Sequence, residues 1–386
     1  MDSPFIYDRY VTGKNFIGNK ENATILGNLI AHGENITIYA PPKSGKHSLI
    51  QQVLFNLRIS GVRFSAGETD LTPIRTIADF LVTFGSTAIR TVASTPNEYS
   101  SIIGRHLAGT HFVFDHQAFS DHDWIVSLNW DPDDNDLEQM LLLPYRLGAD
   151  SGLHVIMILD EFQNLDKTED GEKVWKAMEK VISSNRPSDS PTPACSFVFT
   201  GSQVNAMKWI FKDRRFFYRL VEQFPVKDPE SKVIAEHIVK GFLSGGKVID
   251  RELVLGMCNL LRNKMWYVNH LCAICDYLTR GFITEPMLLE SLGILLSIHE
   301  PRFKATMNDL TTFQVSLLRA IIDGKTKFSS ADIIKGYGLN SSANVRRLKD
   351  ALMKKEIVTF DDEDNPTIID PLFEYWVRKY YFQIEA

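Results

Sequence analysis

The sequence predicts an α/β fold, a parallel sheet with helices on both faces, followed by an all-α segment and a small helix–hairpin module. Three observations carry this reading. Strand-like apolar runs at 36–40, 62–66, 154–159 and 195–200 alternate with helical patterns, and that alternation buries strands between two helical layers. Residues 229–306 hold apolar positions at helical spacing, as in Val254-Leu-Gly-Met-Cys-Asn-Leu-Leu261. Beyond them, helical stretches at 311–322, 329–337 and 341–349 precede two short β-type runs at 357–360 and 367–369. The expected division is therefore 1–228, 229–306 and 307–386.

Each strand of the first region has its own logic. Ile36-Thr-Ile-Tyr39 leads into Ala40-Pro41-Pro42-Lys43-Ser44-Gly45-Lys46-His47-Ser48, and an apolar helix runs on through Phe55. Strand, loop and helix in this order are the setting of the phosphate-binding pattern G-x-x-x-x-G-K-[ST], so the fold expected is that of a P-loop NTPase. Backbone N–H groups of residues 43–48 and the helix N-terminus would hold phosphates, Gly45 would allow close approach, and Lys46 would reach the outer oxygens. His154-Val-Ile-Met-Ile-Leu159 reads as a buried parallel strand ending in Asp160-Glu161. This matches the Walker B pattern, in which Asp160 holds Mg²⁺ and Glu161 polarises the attacking water. Cys195-Ser-Phe-Val-Phe-Thr200-Gly201-Ser202 reads as a further core strand ending in hydroxyls.

Two loop residues depart from the pattern. Ala40 replaces a glycine, and His47 replaces the hydroxyl that binds Mg²⁺. Mg²⁺ takes oxygen ligands in octahedral geometry, whereas imidazole suits zinc or copper. Ser48 does not substitute, because one step along a helix turns a side chain by about 100°. Three outcomes follow: slow turnover with Mg²⁺ held by Asp160, phosphates and water; nucleotide binding almost without hydrolysis; or a protonated His47 on a phosphate oxygen.

Composition sets outer bounds. At 386 residues, two or three domains are expected, and 44% hydrophobic with 23% charged residues is ordinary for a soluble globular protein. No apolar stretch approaches the ~18 residues of a transmembrane helix, and Met-Asp-Ser-Pro-Phe has no signal-peptide character. The expectation is a cytoplasmic protein without membrane partners. A net charge of −6 argues against a protein that coats nucleic acid. The four cysteines make no disulfide framework. Cys272-Ala-Ile-Cys275, with His270 and Cys258 near it, has redox or zinc spacing but reads as the core face of an amphipathic helix. Residues 92–132, with His111, His116, His122 and the acids of 131–134, offer the residue types of a metal site, but their irregular spacing favours an inserted surface segment. Residues 184–194 read as a Pro/Ser-rich loop.

Taken together, these motifs resemble the prokaryotic AAA-like ATPases of the STAND type, the archaeal-ATPase group. Ser3-Pro4-Phe5 and Val11-Thr-Gly13-Lys-Asn-Phe16-Ile17-Gly18 look like that family's N-terminal box, which implies adenine against Phe16, Ile17 and Gly18. Asn19 stands where an arginine is usual, and Asn263-Lys-Met265-Trp266 where a Gly-x-Pro turn is frequent. Arg214-Arg215-Phe-Phe-Tyr218-Arg219 resembles the segment that brings an arginine, here Arg219, to the γ-phosphate. Thr200 or Ser202 would sit between the acidic strand and the phosphate. Asp370-Pro371-Leu-Phe-Glu-Tyr-Trp376 resembles the C-terminal box. The resemblance implies an ATP/ADP switch, a helical lid over 229–306 and an unidentified protein partner; weak hydrolysis is the expectation from His47, and nucleotide-dependent homo-oligomers are compatible with the sequence. The alternatives are a DNA-binding, initiator-like protein and an active ATPase that remodels a partner.

The last module reads as a winged helix. Its third helix would bring Arg346, Arg347 and Lys349 to DNA if it entered a groove. Yet residues 308–370 hold nine Lys and Arg against ten Asp and Glu, and the wing tip, Asp361-Asp-Glu-Asp364, is acidic. That balance would repel a phosphate backbone, so docking on protein is expected rather than DNA binding.

Overall fold

The computed structural model describes residues 3–185 and 193–384. Most of the expected Pro/Ser-rich loop, at 186–192, lies outside the described residues. The chain forms two compact units. One comprises Glu21–Ala40 and Leu49–Val226; the other gathers the N-terminal segment up to Lys20, the loop Pro41–Ser48, and the chain from Lys227 onward.

The first unit is built on a parallel sheet. Its strands are β1 (Ile36–Tyr39), β2 (Phe64–Asp70), β5 (His154–Asp160), β6 (Cys195–Gly201) and β7 (Glu222–Gln223), with a small antiparallel pair, β3 (Phe112–Val113) and β4 (Ser127–Leu128), between β2 and β5 in sequence. The sheet order is β2-β5-β6-β1-β7, and every pairing is parallel. Continuous Val, Ile and Phe runs suit central strands covered on both faces, and β6 is buried along its whole length. The second strand forms two residues later than its apolar run suggests. Gly61, at φ +74°, ends the preceding turn, and pairing with β5 then runs from Phe64↔His154 to Asp70↔Asp160. Around the sheet, the core closes on Phe80, Phe84, Phe162, Trp175, Phe197 and Phe199.

Residues 92–132 are more ordered than a surface insertion. They form helices Pro96–His106 and His116–His122 and the β3–β4 pair. His111 fastens this segment to helix Asp134–Ser151: its N–H donates to Asp136 Oδ1 (2.8 Å) and its Nδ1 lies 2.7 Å from Asp136 Oδ2. Asp136 also closes the capping box of that helix with Asp133. His116 packs against Phe114 and His122 against Trp124.

At the other end of the sheet, His154 is 1% exposed. Its Nε2 lies 2.9 Å from Ser196 Oγ, and its Nδ1 has no partner among the described residues. Burial pushes its pKa down to about 4, so the folded ring stays neutral where an unfolded one takes up a proton. The unfolded state then binds more protons between pH 6.5 and about 4, and stability falls as pH drops through that window. The expected loss is about 3 kcal/mol, from about 1.4 kcal/mol per pKa unit. Denaturant melts across this range should lose that part of their pH dependence in His154→Asn. An identical slope in the variant would assign the acid sensitivity elsewhere.

The second unit is mainly helical. Helices Ser231–Ser244, Arg251–Leu260, Met265–Leu278 and Glu285–Asn308 are joined by a short parallel pair, β8 (Val248–Ile249) with β9 (Phe282–Ile283). Helices Thr312–Ile322, Ala331–Tyr337 and Ser342–Lys354 follow, then the antiparallel hairpin β10 (Val358–Phe360) and β11 (Pro366–Ile368), then helix Pro371–Trp376. One apolar core runs from Phe5 through the helices to Val377. Cys258, Cys272 and Cys275 lie in it as free, buried thiols; burial pushes all three pKa values up, which opposes redox or metal chemistry. The N-terminal box is packed here too. Phe5 packs at a tilt against Phe242 and fills the space beside Gly241, where a Cβ would come within 2.6 Å of its ring.

The wing carries its acid with local compensation. Asp361 accepts hydrogen bonds from the backbone of Glu363 and Asn365, and Asp364 pairs with Lys349. Lys349 also lies over the Phe360 ring, 4.8 Å from its centroid. One of the three candidate DNA-contact cations is thus committed to the hairpin, while Arg346 and Arg347 are exposed.

Candidate functional site

The sheet puts three chemically distinct strand ends on one edge. Neighbours β5, β6 and β1 are parallel, so their carboxyl ends face the same way. Loop 40–45 leaves β1 there, and helix Lys46–Ile59 follows it. The helix starts at Lys46, two residues before the apolar run implied. Lys46, His47 and Ser48 therefore form its first turn, where N–H groups lack helical acceptors.

Within the loop, Gly45 is at φ +85° with open space where a Cβ would stand, and Lys43 is at φ +66°. Lys46 Nζ lies 3.3 Å from Pro41 O, turned back on its own loop. Ser44 Oγ is buried without a partner among the described residues. Ser48 Oγ accepts a hydrogen bond from the Val11 N–H at 3.1 Å, so this hydroxyl anchors the N-terminal segment. The His47 ring lies 5.3 Å from that of Tyr10. Phe16 is buried, with Ile17 and Gly18 half-buried beside it. Gly18 is at φ +63°, and a Cβ there would meet Pro229 at 2.6 Å. Asn19, at the usual arginine position, donates to the Lys227 carbonyl.

The acidic pair is tied to the next strand. Asp160 Oδ1 accepts a hydrogen bond from Thr200 Oγ1. Glu161 adopts φ +55° at the end of β5, and its Oε2 accepts from Ser202 N (3.2 Å), Ser202 Oγ (2.7 Å) and Gln163 Nε2 (2.5 Å). Asp160 thus meets Thr200, and Glu161 meets Ser202. Gln163 is the partner sequence reading misses, two residues past the acid and 3% exposed. Gly201 makes room for it, since a Cβ there would stand 2.5 Å from Gln163 Oε1.

Arg219 lies on the turn before β7, exposed and at φ +59°, its guanidinium 5.2 Å from the Tyr218 ring. Arg215 and Phe217 are left-handed as well. Such residues cost about 1–3 kcal/mol each and persist where surrounding contacts hold them. Phe217 supplies such contacts, being 1% exposed with its N–H donating to Glu179 at 2.5 Å. Arg214 pairs with Glu172 at 2.9 Å.

Residues 301–379 match the family described as "Probable winged helix domain". No curated protein matches the sequence. Among solved structures, the chain is similar to a Walker-type ATPase of Pyrococcus abyssi, with 14% identity, 97% of this chain and 99% of that one covered, and a TM-score of 0.66. It is also similar to the ORC2 protein of Aeropyrum pernix in its ADP form, with 12% identity, 96% and 93% coverage, and a TM-score of 0.53. The chain has the fold of the AAA-like P-loop ATPases, with a C-terminal winged helix. The α/β class and the winged helix agree with the sequence reading. Among the described residues, no helix is long and apolar enough to cross a membrane.

Proposed function

We propose that this protein is an adenine-nucleotide switch of the STAND type that binds ATP and ADP and hydrolyses ATP slowly. One observation carries the reading: the strand feeding a lysine-bearing, glycine-turned loop shares a sheet edge with strands ending in Asp160-Glu161 and Thr200-Gly201-Ser202. N–H groups of 43–48 would hold the phosphates, Lys46 the outer oxygens, and Phe16, Ile17 and Gly18 the adenine. Asp160, supported by Thr200, is the residue fitted to hold Mg²⁺, which would neutralise phosphate charge. The fit is partial, because residue 47 brings no oxygen and the Ser48 hydroxyl is engaged by Val11. Glu161 would orient water once released by Ser202 and Gln163, and Arg219 would sense the γ-phosphate.

In this reading residues 1–228 bind nucleotide, 229–306 form the lid and 307–386 dock on a protein partner in the cytoplasm, with assembly governed by nucleotide. Calorimetry should detect ADP, and steady-state phosphate release should fall far below a median turnover of about 10 s⁻¹. Fast release would make it a working ATPase. Failure to bind ADP or ATP would remove the switch altogether.

The same reading makes DNA a weak ligand. A near-neutral module has little counterion release to drive binding, and Lys349 is engaged by Asp364. Duplex DNA should bind weakly at physiological salt and without sequence preference. Sub-micromolar, sequence-selective retention lost in Arg346→Ala/Arg347→Ala would favour the initiator-like alternative.

A further inference from the structure

Lys43 occupies an unusual position for a loop lysine. Its backbone is left-handed, at φ +66°, a conformation that disfavours a side chain by about tenfold relative to right-handed backbone. Its Nζ lies 3.6 Å from the centroid of the Trp266 ring and 5.3 Å from that of Tyr267. Trp266 is in turn boxed by Tyr7, His270 and His299, with ring centroids 5.1–5.8 Å away. Tyr7 stacks on His270 at 4.1 Å.

The charges around the amine are defined. Arg302 and Asp370 face it, and His270 and His299 stand close enough to feel it. Burial, with Arg302 adding, lowers the Lys43 pKa to about 8, opposed by Asp370. It therefore remains mostly charged at neutral pH, and an ammonium over a desolvated aromatic face is attracted by the ring.

The cage continues into the C-terminal box. Tyr267 Oη donates to Asp370 Oδ2 (2.8 Å), and Arg302 pairs with the same oxygen (2.7 Å). Asp370 Oδ1 accepts from the N–H groups of Leu372 and Phe373, capping helix Pro371–Trp376. A continuous set of contacts thus joins a residue of the phosphate loop to a helix cap more than 300 residues further along the chain.

We propose that Lys43 is a positioning residue that holds the phosphate loop in its left-handed turn through the Trp266 cage, and so couples nucleotide on the loop to the cap of helix Pro371–Trp376. This rests on the nucleotide-binding reading above. Losing the anchor leaves the strained turn unsupported, and linkage requires that nucleotide stabilise the cage in return.

The test uses the full chain and ADP. Lys43→Ala and Trp266→Leu should each weaken ADP binding about tenfold, the double variant no further, and Trp266→Phe, which keeps a ring, by less than about threefold. Saturating ADP should slow amide hydrogen exchange over 371–376 in the natural protein and leave it unchanged in Lys43→Ala. Should Trp266→Leu fold poorly, Lys43→Ala and the exchange measurement still decide. Natural affinity in both single variants, additive losses in the double, or equal protection with and without the Lys43 side chain would overturn the coupling. A natural protein that binds no ADP would instead overturn the nucleotide reading beneath it.

Discussion

Replacing Lys46 with alanine is expected to weaken ADP and ATP binding by about 100-fold. The ammonium is the strongest single donor that the loop offers to a phosphate, and a hydrogen bond to a charged group contributes about 1.5–3 kcal/mol. Removing it leaves the backbone N–H groups of the first helical turn, which would hold phosphate by dipole and geometry alone. The ammonium lies against Pro41 O, within its own loop. Calorimetry should register the lost affinity while the thermal midpoint without nucleotide stays close to that of the natural protein. Undiminished ADP affinity in Lys46→Ala would mean that the loop is not where phosphate binds.

Much of this architecture was legible because strong local signals agreed. The runs of β5 and β6 are apolar through their centres, residues 155–159 and 197–199, and close in polar residues. A buried parallel strand requires the first and a functional sheet edge the second. What resisted reading depends on long-range packing. Residues 92–132 lack periodicity, yet His111 and Asp136, 25 positions apart, fasten them to a helix cap. Gln163 gives no sequence signal as a partner of Glu161. Its role follows from the left-handed turn at Glu161 and from the missing Cβ at Gly201. The cage around Lys43 joins residues from three distant stretches, Tyr7, Lys43 and Trp266, and no local pattern announces it. The acidic wing shows the same limit, since charge counting reveals its balance but not the pairing of Lys349 with Asp364.

Changing His47 to threonine should raise steady-state phosphate release by about tenfold or more and sharpen its Mg²⁺ dependence. Residue 47 lies in the first turn of helix Lys46–Ile59, where the phosphate-loop pattern calls for a hydroxyl. Mg²⁺ needs oxygen in near-octahedral array at about 2.1 Å, and an imidazole nitrogen is a poor substitute. The next hydroxyl along, that of Ser48, accepts from Val11 N–H and points about 100° away around the helix. A better-held ion would neutralise more of the charge that develops as the γ-phosphoryl leaves, and each 1.36 kcal/mol of barrier removed is worth a factor of ten. The gain should be limited by Glu161, because Ser202 and Gln163 hold its carboxylate and must release it first. Glu161→Gln in the His47→Thr background should accordingly return release to the level of the unmodified protein or below. A natural protein that already turns over near about 10 s⁻¹, and slows on gaining the threonine, would reverse the role assigned to His47 and make the imidazole a working part of the site.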